Sequence, residues 1–189
     1  MTQDEVTIKL HKPNASETLF FFLCGVIMSV PLTLFVAQYA NSLLVGLDAF
    51  YAALISTAVF APLIEEFSKA FPLFYRHGET ERSIFNLALW VGLGFGIIEM
   101  LTYVTVLGSS LIERLPGLLF HPASASITAY GIATKRPLPF YAIAVALHFS
   151  NNFLALANPF PISGTIAIVG ITVFTSWQLH NKTKEKIVI

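Results

Sequence analysis

An all-α, polytopic membrane bundle is the fold class this sequence predicts, on three observations. Hydrophobic residues make up 55% of the 189-residue chain and charged residues only 12%, against roughly 25% charged in a soluble domain. Thr18 to Leu47, Leu115 to Thr134 and Pro137 to Asn181 contain no Asp, Glu, Lys or Arg, and a helix needs only about 20 such residues to cross a bilayer. The basic residues also gather in alternate connections, as expected of loops on the cytoplasmic side.

The opening segment, residues 1–17, is polar and holds Asp4, Glu5, Lys9, Lys12 and Glu17. No short apolar stretch sits where a cleavable signal would, so the N-terminus is expected to be retained. The first span runs from about Leu19 to Ala40, with Pro31 predicting a kink. The second, about Val45 to Tyr75, is long for one helix; Pro62 and Pro72 each remove a backbone donor, which predicts bending or a break. Arg76 to Arg82 form a polar loop. In the third span, about Ser83 to Leu107, Gly92 and Gly96 share a face on which another helix can approach closely, with Gly94 between them. Ser109 to Pro116 lead to a fourth span ending near Thr134, and Lys135-Arg136-Pro137 make the next turn. Leu138 to Ala157 form the fifth span, Asn158 to Pro161 a turn, and Ile162 to Leu179 the sixth. A short basic tail, residues 180–189, closes what reads as a single transmembrane domain over residues 1–189.

With about six spans, one side collects Lys9, Lys12, Arg76, Arg82, Lys135, Arg136, Lys182, Lys184 and Lys186, and the other has only Arg114. Both termini are therefore expected to be cytoplasmic, in a multi-pass protein of the cell membrane surrounded by lipid. Cys24 is the one cysteine, which excludes a disulfide framework and a cysteine metal site. Net charge is zero and no long basic stretch occurs, so nucleic acid is not an expected partner.

Lys69 is the one basic residue within a span, and it lies beside Glu65 and Glu66. An ionisable group at membrane depth costs a few kcal/mol or more and usually marks a functional site facing the bundle interior. Spacings of four and three let both carboxylates reach one ammonium. One negative charge is left in excess, as a poised acid/base requires. The structural alternative is a buried ion pair that only fixes helix packing.

Glu99 is a third acidic group inside a span; its alternative is exposure near the outer helix end, about 25 Å of rise from Arg82. His121 and His148, on the fourth and fifth spans, would singly be hydrogen-bonded core histidines. Counted from the basic ends, however, Glu65, His121 and His148 lie roughly 16 to 21 Å deep and Glu99 somewhat deeper, so four helices bring polar groups towards one level. His148 and Asn152 share a helix face and can point together at one oxygen atom, as an oxyanion site needs. Asn151 points about 100° away from Asn152 and is the weaker partner.

Glu65-Glu66-x-x-Lys69, Phe95-x-x-x-Glu99, His121 and His148-x-x-x-Asn152, each on its own span, resemble the PrsW family of intramembrane proteases. The wider superfamily includes CAAX prenyl endopeptidases and bacteriocin-immunity proteins, which typically show Glu-Glu-x-x-x-Arg and Phe-x-x-x-His. Lys69 and Glu99 depart from that pattern and favour the PrsW branch over prenylated substrates. The resemblance implies hydrolysis of a peptide bond in a membrane protein, such as a single-span anti-sigma factor. Glu65 or Glu66 would then take a proton from water and His121 would help hold that water. Lys69 would set the charge of the glutamate pair, Glu99 would orient a histidine or the water, and His148 and Asn152 would stabilise the oxyanion.

No cofactor is expected on this glutamate reading. A zinc reading stays open, with Glu65, Glu66, Glu99, His121 and His148 as its ligand pool, although the His-Glu-x-x-His signature is missing and Lys69 would repel a cation. Two non-proteolytic classes also remain. One is a scaffold, to which the superfamily's γ-secretase subunit points; the other is a proton-coupled transporter, against which the small size and the lack of an inverted repeat weigh.

Overall fold

Asn14 begins the first helix by capping it. Its side chain accepts from the Glu17 N–H while the Glu17 carboxylate accepts from the Asn14 N–H, a reciprocal box that satisfies two otherwise orphaned donors. The computed structural model describes residues 10–75, 79–157 and 161–188. The polar residues before position 10, Arg76-His77-Gly78 of the predicted loop, Asn158-Pro159-Phe160 of the predicted turn and Ile189 lie outside them. The helices are α1 (Ala15–Ser42), α2 (Ala49–Ile55), α3 (Ala61–Ala70), α4 (Glu81–Thr105), α5 (Leu111–Arg114), α6 (Gly117–Ala133), α7 (Pro137–Ala157) and α8 (Pro161–His180). No β-strand occurs among the described residues beyond two isolated bridges.

Among the described residues, four segments are long and apolar enough to cross a membrane: Ala15–Ser42, Ala49–Phe74, Glu81–Thr105 and Pro137–Leu156. Their surfaces carry large apolar side chains, among them Leu19, Ile27, Leu34, Phe35, Phe71 and Leu138, whereas Glu66, Lys69, Ser124, Ser126 and Thr172 are buried. Polar groups inside and apolar groups outside suit a chain whose solvent is lipid.

The break predicted in the second span takes the form of a π-helical turn, Ser56–Phe60, between α2 and α3. Asp48 caps α2 by accepting from the Phe50 N–H. Ala61 then donates to Ser56, five residues back. In that register the Thr57 carbonyl would receive the N–H of residue 62, which is a proline and has none. The segment ends in a 3-10 turn, Phe71–Phe74, that includes Pro72. Pro31, by contrast, lies inside a continuous α1.

α4 packs chiefly against α6 and α1, and α6 against α7 and α8. Glycines set the closeness of these approaches. A Cβ on Gly94 would stand 2.1 Å from the Phe22 carbonyl oxygen on α1, and one on Gly92 2.4 Å from the His121 carbonyl oxygen on α6. Gly96 faces α6 as well, so the shared face read for Gly92 and Gly96 is the α4–α6 contact.

At one end of the bundle, His11 bridges Glu79 and Thr80 bridges Ile187. The basic tail is docked there rather than free: Glu81 and Arg82 N–H groups donate to the Lys186 and Lys184 carbonyls, and the Arg82 guanidinium donates to the Thr183 carbonyl at 2.9 Å. Lys135 and Lys186 line one hollow at this end. The early residues, the α4 start, the α6–α7 turn and the tail thus meet at one pole.

Gly94→Ala should destabilise the protein by about 1–3 kcal/mol, because backbone must move to admit the methyl. Gly170→Ala, where a Cβ meets nothing within 4 Å, should leave stability nearly unchanged. Thermal unfolding of both variants in detergent compares the two.

Candidate active site

The α-helical segment after the π turn turns Glu65, Glu66 and Lys69 into the bundle. Lys69 has no exposed surface. Its Nζ donates to Glu66 Oε1 at 2.6 Å and to Ser124 Oγ at 2.9 Å, and lies 3.2 Å from His121 Nδ1. An ammonium has three donors and no acceptor, so Nδ1 must accept, and all three N–H groups are used. The proton of a neutral His121 then belongs on Nε2, which faces Glu99 Oε2 and pairs with it. The rings of Phe95 and Phe120 flank the ammonium at 5.1 and 5.9 Å from their centroids, within cation–π range.

Glu66 is as deeply buried as Lys69. The same Oε1 that accepts from Lys69 lies 2.8 Å from His148 Nδ1. With a carboxylate as acceptor, Nδ1 carries the proton, and Nε2 turns towards Glu65 Oε2, 3.7 Å away. That separation is too long for a direct hydrogen bond and suits a bridging water. Glu65 Oε2 is buried and has no hydrogen-bond partner within the protein.

The structure therefore brings together Glu65, Glu66, Lys69, Glu99, His121 and His148 from α3, α4, α6 and α7. Glu99 pairs inward rather than standing free on the outer surface: its side chain, 25% exposed, lines a cavity of about 340 Å³ with Gly96, His121, His148, Asn151 and Asn152. Beyond them the cavity is walled by Glu113 and Arg114 of α5 and by Thr165 and Val169 of α8.

Asn152 reaches the cavity but is partly committed elsewhere. Its amide nitrogen donates to the Thr57 carbonyl at 2.9 Å, the acceptor that the π register and Pro62 leave without a backbone donor. Asn151, the weaker partner on helix spacing, is also at the cavity. It donates to Asn152 Oδ1 at 3.2 Å, and its own Oδ1 is buried without a partner. Ser124 was missed, although it lies one turn beyond His121 on the same face and a buried ammonium needs three acceptors.

Glu65, Glu99 and His121 each offer a ligand atom within 4.8 Å of the others. Two carboxylates and one imidazole, with a fourth position open, are a donor set that a catalytic zinc accepts. The residues fit a metal on that ground and on the unpartnered Glu65 oxygen. Glu66 and His148, included in the wider ligand pool read from the sequence, fall outside this group and are bonded to each other.

A family model described as PrsW family intramembrane metalloprotease matches residues 14–177. No curated protein and no solved structure matches the chain.

Lys69→Ala should destabilise the fold by about 3–5 kcal/mol, because it leaves the Glu66 carboxylate buried without its cation. Adding Glu66→Gln in the same chain should restore part of that loss. Denaturant unfolding in micelles of the single and double variants gives the coupling; additive losses would contradict it.

Proposed function

The chain belongs to the PrsW family of intramembrane proteases and is an integral membrane protein, and from that premise we propose that it hydrolyses a peptide bond of a single-span membrane protein with Glu65 as the base. One observation carries the choice. Both carboxylates keep a buried oxygen without a hydrogen-bond partner, but Glu66 is fully buried with its Oε1 taken by Lys69 and His148, whereas the Glu65 side chain is 12% exposed and its Oε2 lies 3.7 Å from the second nitrogen of His148.

A water placed between Glu65 Oε2 and His148 Nε2 donates a hydrogen to each, which turns its lone pair outward to the scissile carbonyl. Glu65 takes the proton as the water attacks. The second amide hydrogen of Asn152 is available to the tetrahedral oxyanion. Glu65 then returns its proton to the departing amine. Glu66 and Lys69 are positioning residues in this scheme, since they hold His148 and His121 without touching substrate. Anti-sigma factors are the kind of single-span substrate the family points to.

A zinc reading is the second one, favoured by the proximity of Glu65, Glu99 and His121 and by the family's description. A zinc held by those three residues would supply a water of lowered pKa. Activity that survives exhaustive chelation would exclude it; loss that zinc restores would establish it. In either case Glu65→Gln should lower kcat/KM by at least about 100-fold on single-span peptides in proteoliposomes, with little change in unfolding. Full cleavage by Glu65→Gln would overturn the assignment of the base.

The two further helices α6, with 17 residues, and α8, with 20, would complete six spans. The shared pole of Arg82, Lys135 and Lys186 would then be cytoplasmic, in the cell membrane. The cavity, walled by α5, would open on the opposite side. Of single cysteines placed in a Cys24→Ser background, one in α5 should be labelled by impermeant reagent in intact cells and one at the tail only after permeabilisation; the same accessibility for both would refute the arrangement.

A further inference from the structure

Among the described residues, Arg114 is the basic residue remote from both the basic pole and Lys69, and the proteolytic mechanism gives it no part. It lies at the end of α5 and walls the same cavity as Glu99, His121 and His148. Its guanidinium lies over the Tyr103 ring, with Cζ 3.7 Å from the ring centroid, within cation–π range. Its hydrogen bonding is incomplete. Nη2 reaches Ser109 Oγ at a long 3.5 Å, and Nε is buried without an acceptor. Among the described residues, no carboxylate forms an ion pair with it. Glu113 in the same wall is exposed, and Glu99 is taken by His121.

A guanidinium held over an aromatic ring and without a carboxylate partner is the kind of group whose planar fork a carboxylate can fill bidentately. We propose that Arg114 and Tyr103 form a specificity subsite for an acidic side chain of the substrate. This rests on the proteolytic reading, because the subsite opens into the cavity that holds the reacting groups. A lipid headgroup is the weaker occupant, since it would fill the space through which a peptide must reach Glu99 and His148.

Tyr103 follows Glu99 by one helical turn, a rise of about 6 Å. A substrate held extended advances about 3.3 Å per residue, so the acidic side chain belongs about two residues from the cleaved bond.

The test uses the full chain in phosphatidylcholine proteoliposomes and single-span peptides that differ only in carrying Asp, Asn or Lys at each position near the cut, with the cut located by mass spectrometry. Asp about two residues from the cut should be preferred over Asn by at least about tenfold. Arg114→Gln should abolish that preference, Arg114→Lys should keep part of it, and Arg114→Glu should turn it towards Lys, a reversal that misfolded protein cannot produce. Equal Asp-over-Asn preference in wild type and Arg114→Gln would overturn the subsite. So would peptide indifference combined with an Arg114-dependent response to phosphatidylglycerol, which would assign the residue to a lipid headgroup. Binding of the same peptides to the Glu65→Gln protein, read by fluorescence anisotropy, separates the two failures. If nothing is cleaved, the protease reading falls, while Asp-over-Asn binding that Arg114→Gln removes still upholds the subsite and equal binding overturns it.

Discussion

The buried ammonium of Lys69 is the constraint on which the rest of the interior depends. A charge with no exposed surface is tolerated only when each of its hydrogens has an acceptor. Here the acceptors come from its own helix at Glu66 and from α6 at Ser124 and His121. Each acceptor passes the constraint on. Glu66 fixes the His148 ring on α7, and His121 presents its second nitrogen to Glu99 on α4. One cation thereby sets the relative rotation of four helices and assigns the proton-bearing nitrogen of both imidazoles.

That arrangement requires α3 to be rotated correctly against α7, and the π turn supplies the rotation. Inserting one residue into a helical turn shifts every later side chain by about 100°. The cost is a carbonyl without its backbone donor at Thr57, and Asn152 offsets it from α7, one turn beyond His148. Tyr141 joins the same two helices by donating to the Leu63 carbonyl at 2.7 Å. An asparagine that looks like a catalytic donor in the sequence therefore also holds the irregular backbone that aims the glutamates.

The helices themselves, the glycine face of α4 and the convergence of Glu65, Glu66, Lys69, Glu99, His121 and His148 were legible in the sequence. Spacing within a helix reports which residues share a face, and charge in an apolar span reports which face is inward. Spacing does not report partners on other helices. The unequal fates of Glu65 and Glu66 depend on His148 approaching from α7, and the inclusion of Asn151 depends on how a side chain turns at the cavity wall. The docked tail was illegible for another reason. Its few contacts with the start of α4 are irregular backbone pairings, which leave no periodic signature.

Exposure divides the polar network into two halves with different work. Glu66 and Lys69 are sealed, with side chains fully buried, whereas the Glu65 side chain is 12% exposed and that of Glu99 25%. Hydrolysis inside a membrane needs both conditions. Water must reach a carboxylate, yet the groups that orient the reaction must not rearrange when it does. The dry half supplies the second condition, since a buried, fully bonded ammonium has no alternative arrangement of similar energy. Glu99 of the wetter half borders the cavity, whose wall of Glu113, Arg114 and the two asparagines carries polar surface outwards from the histidines. Apolar side chains cover much of the outer surface of the surrounding helices, so this internal path gives water a polar route towards the histidines and Glu99.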